Sequence, residues 1–169
     1  MKLDPGQRGV LLRDPAGWIA CGFGSGLSPR APGTAGSLAA LLPWFALREL
    51  PWAWYLAAVA LAFALGVRVC ARVVAKLRIA DPGFVVWDEF VGQWIALLPL
   101  LWLPFAWWQL VAGFALFRIF DIVKPWPVSW ADHNVGGGLG VMLDDVIAGL
   151  YAALVLAVLQ GLAAAWGLS

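Results

Sequence analysis

The chain has 169 residues, of which 63% are hydrophobic and 12% charged, whereas a soluble domain usually carries about 25% charged residues. So little polar surface excludes a water-soluble globule of this size, and a net charge of +1 gives no basic balance for binding nucleic acid. The length predicts one domain over residues 1–169, with a polar N-terminal tail at residues 1–17.

Residues 1–34 are polar and rich in glycine and proline, which is typical of loops. Charged residues interrupt every apolar run near the start, namely Lys2, Arg8, Arg13 and Asp14. We therefore expect no signal peptide, and membrane insertion must use internal segments. Cys21 and Cys70 are too few for a disulfide framework or a zinc site, and we expect both to be packing residues.

Five apolar stretches follow, at residues 35–50, 52–67, 90–103, 106–120 and 146–166. Pro43 breaks the first, Pro51 closes it, and Pro104 separates the third from the fourth. Between the second and third lie a basic segment and a predicted turn, with Arg68, Arg72, Lys76 and Arg78 followed by Asp81-Pro82-Gly83. The last stretch is long enough to span a bilayer alone.

Two foldings compete for residues 35–67 and 90–120, since each could form one long tilted helix or a helical hairpin. A helix of about 33 residues would be roughly 50 Å long, against about 30 Å of hydrocarbon core. Hairpins that turn at Pro51 and Pro104 fit better. The predicted fold is an all-α polytopic membrane helical bundle with a C-terminal spanning helix and its motif loops on the cytoplasmic face.

Charge placement agrees with five passes and an inner N-terminus. Only Arg48 of the 11 Lys and Arg residues, and only Glu49 of the 10 Asp and Glu residues, would lie outside. The positive-inside rule explains the basic residues but not the acids. A site that the acids share is the simplest reason for their clustering on one face.

Tryptophan placement predicts an aromatic belt at both membrane interfaces, with only Trp94 lying deeper. Those near the outer ends are Trp44, Trp52, Trp54, Trp102, Trp107, Trp108 and Trp166, and those near the inner face are Trp18, Trp87, Trp126 and Trp130.

Two pairs of acids adjoin predicted helix starts. Asp88 and Glu89 precede the third stretch, while Asp144 and Asp145 open the last helix. Helix capping or the helix dipole would explain one carboxylate of each pair better than two. The pairs are therefore candidates for chemistry.

Arg118, Asp121 and Lys124 follow one another at i, i+3 and i+6, so they share a helix face at the membrane edge. The alternative is a surface ladder of ion pairs with snorkelling cations. Pro125 ends that helix.

A polar segment with Asp132, His133 and Asn134 precedes the glycine run from Gly136 to Gly140, whose backbone N–H groups can bind an anion. A glycine-rich loop alone is a weak signal, and His133 is expected to be simply solvated or hydrogen-bonded. Thr34 is an N-cap candidate, and Ser37 a first-turn residue.

Six acids would crowd one small region, and two carboxylates about 4 Å apart repel by ~4 kcal/mol at an effective dielectric near 20. They must protonate, pair with Lys or Arg, or bind a cation. Oxygen ligands favour Mg²⁺, whereas zinc would need more His or Cys. The metal candidates are Asp88, Glu89, Asp121, Asp144 and Asp145. Lys124 and Arg118 would hold phosphate oxygens.

Four motifs in this order resemble the phosphatidylglycerophosphatase A family over roughly residues 18–150. They are Gly22-Phe-Gly-Ser-Gly…Ala31-Pro-Gly-Thr-Ala-Gly-Ser37, Val86-Trp-Asp-Glu-Phe-Val-Gly92, Phe117-Arg-Ile-Phe-Asp-Ile-Val-Lys-Pro125 and Asp132…Gly137-Gly-Leu-Gly-Val-Met-Leu-Asp-Asp-Val-Ile-Ala-Gly149. The resemblance implies Mg²⁺-dependent hydrolysis of phosphatidylglycerophosphate to phosphatidylglycerol and phosphate, in the bacterial inner membrane. His133 stands where we expect Arg in close relatives.

We therefore expect a lipid phosphatase in which metal-activated water, favoured over an aspartate nucleophile, attacks phosphorus. The expected catalytic residues are Asp88, Glu89, Asp121, Lys124, Asp132 and Asp145. The expected substrate-binding residues are Arg118, Lys124, Thr34, Asn134, Gly137 and Gly138. The alternatives are an ion-coupled membrane transporter with an interfacial acidic site and a structural scaffold.

Overall fold

The computed structural model describes residue 9 and residues 11–79, 82–102 and 105–166, and these form helices and turns without a strand among them. The all-α prediction is confirmed. The elements are α1 (Pro15–Ala20), a 3₁₀ segment (Gly22–Leu27), α2 (Pro32–Leu47), α3 (Trp52–Leu77), α4 (Trp87–Ala96), a 3₁₀ turn (Leu98–Leu101), α5 (Trp107–Val123), α6 (Val128–Asn134) and α7 (Gly137–Ala165). The predicted turn residues Asp81 and Pro104 lie outside the described ranges.

Prolines act differently from the sequence prediction at two places. α2 continues through Pro43 to Leu47, so this proline does not break the helix. α4 ends at Ala96, three residues before Pro99, because proline lacks the N–H that would donate to the carbonyl of Ile95. Pro99 therefore closes the third apolar stretch earlier than Pro104 would.

The chain turns between α2 and α3, and tryptophan and tyrosine hydrogen bonds set the direction of α3 against α4. Tyr55 OH donates to the carbonyl of Trp94 at 2.7 Å, and Trp87 Nε1 donates to the carbonyl of Ala62 at 2.9 Å. Because the residue numbers run in opposite senses, these two helices are antiparallel. Whether each predicted hairpin crosses a bilayer stays a prediction.

α7 packs against α3, α4 and α5 and occupies the middle of the bundle. Glycines allow the close approach: a Cβ on Gly92 would lie 2.8 Å from the carbonyl oxygen of Asp145, and one on Gly149 would meet the carbonyl of Gly92. At these contacts α4 and α7 run side by side with backbone nearly touching backbone. This packing carries Asp144 and Asp145 to the same level as the start of α4.

Two helices, α3 with 26 residues and α7 with 29, are long and apolar enough to cross a membrane. α7 begins nine residues before the predicted start, because Gly136 is its extended N-cap and the following glycines form its first turn. Asp144 and Asp145 therefore lie two turns inside the helix, and the prediction that they open it is wrong. The basic segment after Val67 is likewise helical, since α3 runs on to Leu77.

Two tryptophans assigned to the belt belong to the core. Trp44 is fully buried and Trp87 is 7% exposed, so the belt assignment is wrong for both. Trp94 is also buried, at 6% exposure, whereas Trp52 and Trp107 expose 59% and 67% of their surface.

Asp14 ties the first helix to α3. Its carboxylate accepts hydrogen bonds from the backbone of Ala16 and from Lys76 Nζ, at 3.0 and 2.9 Å, and lies 3.5 Å from Arg72 Nε. The hydrogen bond from Lys76 lowers the pKa of Asp14. Leu11 is also buried, so residues 11–17 pack onto the bundle instead of extending from it as a polar tail.

Gly138 provides a test of the α3–α7 contact. A Cβ at this position would collide with the carbonyl of Val67 and lie 2.5 Å from the Ala71 nitrogen. We expect Gly138→Ala to lower the free energy of unfolding by about 1–3 kcal/mol, because backbone cannot move aside as a side chain can. Thermal unfolding in detergent measures this change.

Gly161 is the matched control, since it lies in the same helix and no described atom beyond its own helix turns lies within 4 Å of an added Cβ. Gly161→Ala should stabilise the helix by up to about 1 kcal/mol. Equal stability losses in the two variants would contradict the close α3–α7 packing.

Candidate active site at one end of the helices

A polar pocket of about 670 Å³ lies where the starts of α2, α4 and α7 meet the end of α5 and the short helix α6. Almost all predicted site residues line it, although they come from distant parts of the chain. They are Asp88, Glu89, Arg118, Asp121, Lys124, Asp132, Asn134, Gly137, Asp144 and Asp145. The predicted convergence of these segments is thus seen directly.

Arg118 forms the first of two charged groups in the pocket. Its Nη1 pairs with the carboxylate of Glu89 and lies 2.9 Å from Asp121 Oδ2. The i, i+3 relation of Arg118 and Asp121 follows the predicted helix face. Because Arg118 is 14% exposed and Glu89 10% exposed in their side chains, this is an inward-facing cluster and not the surface ladder considered above.

Lys124 forms the second charged group. It ends α5 with a left-handed backbone (φ 47°), and its Nζ lies 2.6 Å from both Asp132 Oδ1 and Asp144 Oδ2. Partial burial opposes the charged ammonium, but the hydrogen bonds that it donates to the two aspartates prevail and raise the pKa of Lys124. Lys124 is therefore a cation at neutral pH that joins α5, α6 and α7.

Two carboxylate oxygens in the pocket region lack a hydrogen-bond partner in the described part of the chain. They are Asp144 Oδ1 and Asp145 Oδ2, and both are buried. Asp88 also lines the pocket and accepts only the backbone N–H of Glu89, at 3.0 Å. Unpartnered buried carboxylate oxygens are costly, so they call for a cation or for water.

The donor set fits Mg²⁺ in chemistry, since it consists of carboxylate oxygens with free lone pairs in a polar pocket. Within residues 11–79, 82–102 and 105–166, however, no three His, Cys, Asp or Glu side chains are already grouped tightly enough to hold a metal ion. The cations Arg118 and Lys124 separate the acids into two groups instead. Metal binding would require these side chains to draw together.

Two predicted site residues do not line the pocket, and a third is exposed at its edge. Thr34 is the third residue of α2, whose N-cap is Ala31, and Thr34 does not line the pocket. Gly138 is buried against α3 and does not line it either. His133 and Asn134 are exposed, and each bonds a backbone carbonyl of α6 at 2.7 and 2.8 Å. His133 is thus a solvated, hydrogen-bonded histidine, as expected.

Sequence reasoning missed Ser37 and Gly33. Ser37 is fully buried, and its hydroxyl lies 2.8 Å from Glu89 Oε2. A Cβ on Gly33 would collide with the Glu89 carboxylate. The small residues Gly33, Gly36 and Ser37 on consecutive turns of α2 were a signal of close helix approach, but local sequence does not say which helix approaches.

These observations define a class of protein: an α-helical membrane protein with a pocket of paired acids and cations at one end of its apolar helices. The sequence model of the phosphatidylglycerophosphatase A family matches residues 18–160. The chain belongs to this family, and it is therefore a member of a family of membrane lipid phosphatases.

Curated relatives agree with this assignment. Phosphatidylglycerophosphatase A of Escherichia coli strain K12 is 46% identical over 151 residues, which cover 89% of this chain and 86% of the relative. The Haemophilus influenzae protein of the same name is 43% identical over 152 residues, covering 89% and 92%.

A Bacteroides thetaiotaomicron protein, provisionally named a phosphatidylinositol-3-phosphatase, is 46% identical over 144 residues, covering 83% of this chain and 90% of the relative. No solved structure gives a significant match. The comparisons favour the predicted phosphatase over the transporter and scaffold alternatives.

Proposed function

We propose that this chain hydrolyses phosphatidylglycerophosphate to phosphatidylglycerol and inorganic phosphate. The observation that carries the proposal is the pocket in which Arg118 and Lys124 lie among six carboxylates. Two relatives bear the name of this activity, and the third is named for another lipid phosphate monoester. A phosphate monoester joined to a lipid is the chemistry common to all three names.

Arg118 and Lys124 are the groups suited to hold the phosphate. An arginine fork can bind two phosphate oxygens at once, and the Lys124 ammonium has three donors, of which Asp132 and Asp144 use two. Both cations are fixed in place by carboxylates on neighbouring helices. Little reorganisation is then needed when charge develops on the phosphoryl oxygens.

The acids supply the complementary part of the chemistry. Asp88, Glu89, Asp121, Asp144 and Asp145 would hold Mg²⁺, which when bound polarises the phosphoryl group and lowers the pKa of a bound water. Asp132 fixes Lys124. Water remains the favoured attacking group, since no aspartate is set apart from the others as a nucleophile.

For the membrane arrangement we propose a multi-pass protein of the bacterial inner membrane whose pocket faces the cytoplasm. The apolar helices α3 and α7 support membrane insertion, and the cations Arg68, Arg72 and Lys76 near the end of α3 favour an inner position for that end. The acyl chains of the substrate would remain in the bilayer while its headgroup enters the pocket.

The decisive experiment measures phosphate release from phosphatidylglycerophosphate in detergent micelles by the purified protein. We expect turnover with phosphatidylglycerophosphate and much less with a phosphodiester lipid such as phosphatidylglycerol. Parallel assays with phosphatidylinositol 3-phosphate compare the rate of phosphate release from the lipid named for the third relative. Absence of release from any lipid phosphate monoester, with ion movement in vesicles, would favour the transporter instead.

The same assay tests the metal. We expect EDTA to abolish phosphate release and excess Mg²⁺ to restore it, because the acids then regain the cation that lets them lie together. Full activity in EDTA would refute the metal assignment while leaving the phosphatase assignment intact.

A further inference from the structure

Ser37 lies at the junction of α2, α4 and α5, behind the pocket and not on its wall. Its hydroxyl oxygen is 2.8 Å from Glu89 Oε2, 3.0 Å from the carbonyl of Gly33 and 3.3 Å from Arg118 Nη1. It thus contacts both members of the Glu89–Arg118 ion pair. No other hydroxyl group in the described part of the chain is recorded with a carboxylate partner.

The hydrogen-bond inventory of a hydroxyl limits what Ser37 can do. It has one proton, so it can donate either to Glu89 or to the carbonyl of Gly33, and its lone pairs accept from Arg118. A carboxylate is the stronger acceptor, and donation to it satisfies Glu89 and Arg118 together. A serine that merely bonded its own helix would need only the carbonyl.

We propose that Ser37 is a positioning residue, whose hydroxyl holds the Glu89 carboxylate and the Arg118 guanidinium in the orientation that the reaction requires. This inference rests on the proposed phosphatase function and goes beyond it by assigning a role to a residue that does not touch substrate. Gly33 belongs to the same arrangement, because only a residue without a Cβ leaves room for the Glu89 carboxylate.

Three substitutions separate positioning from packing. Ser37→Ala removes the hydroxyl, Ser37→Cys keeps a side chain of similar size with a weak donor, and Ser37→Thr restores the hydroxyl. We expect Ser37→Ala and Ser37→Cys to lower kcat by roughly ten- to fiftyfold and to change KM by less than about twofold. This decrease in kcat corresponds to the loss of one hydrogen bond to a charged group. Ser37→Thr should recover much of kcat.

Ser25→Ala is the matched control. The Ser25 hydroxyl also donates to a backbone carbonyl within its own segment, that of Gly22 at 2.8 Å, but it meets no carboxylate. We expect wild-type kcat and KM for this variant in the same phosphate-release assay.

Each result decides the proposal. Wild-type kcat in Ser37→Ala, or recovery by Ser37→Cys, would overturn it and leave a packing role. If Ser37→Ala does not fold, Ser37→Cys, which preserves volume, gives the deciding measurement. A wild-type protein that releases no phosphate would instead refute the proposed function, so the two failures are distinguishable.

Discussion

Replacing Asp145 by Asn is expected to lower phosphate release by about a thousandfold, because the change removes a buried carboxyl group with almost no change in shape. Asp145 is 3% exposed, and its Oδ2 is buried without a hydrogen-bond partner in the described chain. Under the proposed mechanism Asp145 would help to hold Mg²⁺, and a metal can supply several kcal/mol of transition-state stabilisation, where each ~1.4 kcal/mol is a factor of ten in rate. Phosphate release at saturating substrate and Mg²⁺ measures the effect.

The same variant should not be less stable than the wild type. Burying an unpaired carboxylate is costly, so its neutral amide should leave the unfolding temperature unchanged or raise it. Asp14→Asn makes the identical chemical change outside the pocket, where the carboxylate is paired with Lys76. We expect the opposite outcome there: normal kcat and a lower unfolding temperature. Near-normal turnover in Asp145→Asn would remove this residue from the site.

Replacing Lys124 by Met should reduce both activity and stability. The ammonium lies 2.6 Å from both Asp132 and Asp144, and no other lysine or arginine among the described residues pairs with either aspartate. Its removal leaves the buried Asp144 without a counterion, and we expect about 2 kcal/mol of lost stability after allowance for solvent. Loss of the Lys124 ammonium as a hydrogen-bond donor to the phosphate should lower kcat/KM by about a hundredfold or more.

Lys76→Met is the control for this variant, because Lys76 also pairs with an aspartate but lies outside the pocket. It should unfold at a lower temperature and keep its kcat/KM. Lys124→Arg, which retains the charge, should recover stability more than activity, since guanidinium and ammonium geometries differ. Equal kcat/KM in Lys124→Met and Lys76→Met would contradict a phosphate-binding role.

The sequence allowed much of the site to be predicted because charges are scarce in this chain. In an apolar protein, acids and cations must share the few polar places, so Asp88, Asp121 and Lys124 could be grouped before their distances were known. The helical class followed from long apolar stretches in the same way. Both inferences depend on the high cost of placing polar and charged groups in an apolar environment, and not on details of packing.

Helix boundaries were less predictable, since tertiary contacts decide whether a glycine lies in a helix or in a loop. The run after Gly136 predicts a loop by propensity, yet Gly138 lies in α7 because close packing on Val67 needs a residue without a Cβ. Packing energy outweighed local preference there. The prediction therefore placed Asp144 and Asp145 at the helix start, whereas they lie two turns inside it.

The role of Ser37 could not be found from local patterns. It meets Glu89 across 52 positions of the chain, and the contact depends on the separation of α2 and α4. Which acids pair with Arg118 and which with Lys124 likewise depends on how the helices pack. Periodicity shows which residues share a face of one helix, but not which face of another helix lies opposite.

The position of the aspartate pair inside α7 has a consequence for biosynthesis. Each aspartate in an apolar helix disfavours insertion by up to about 3 kcal/mol, and Lys124, the partner of Asp144, is made earlier on α5. α7 is the last described helix to leave the ribosome, so α3, α4 and α5, against which it packs, are synthesised before it. The pocket therefore cannot form before α7 has been made.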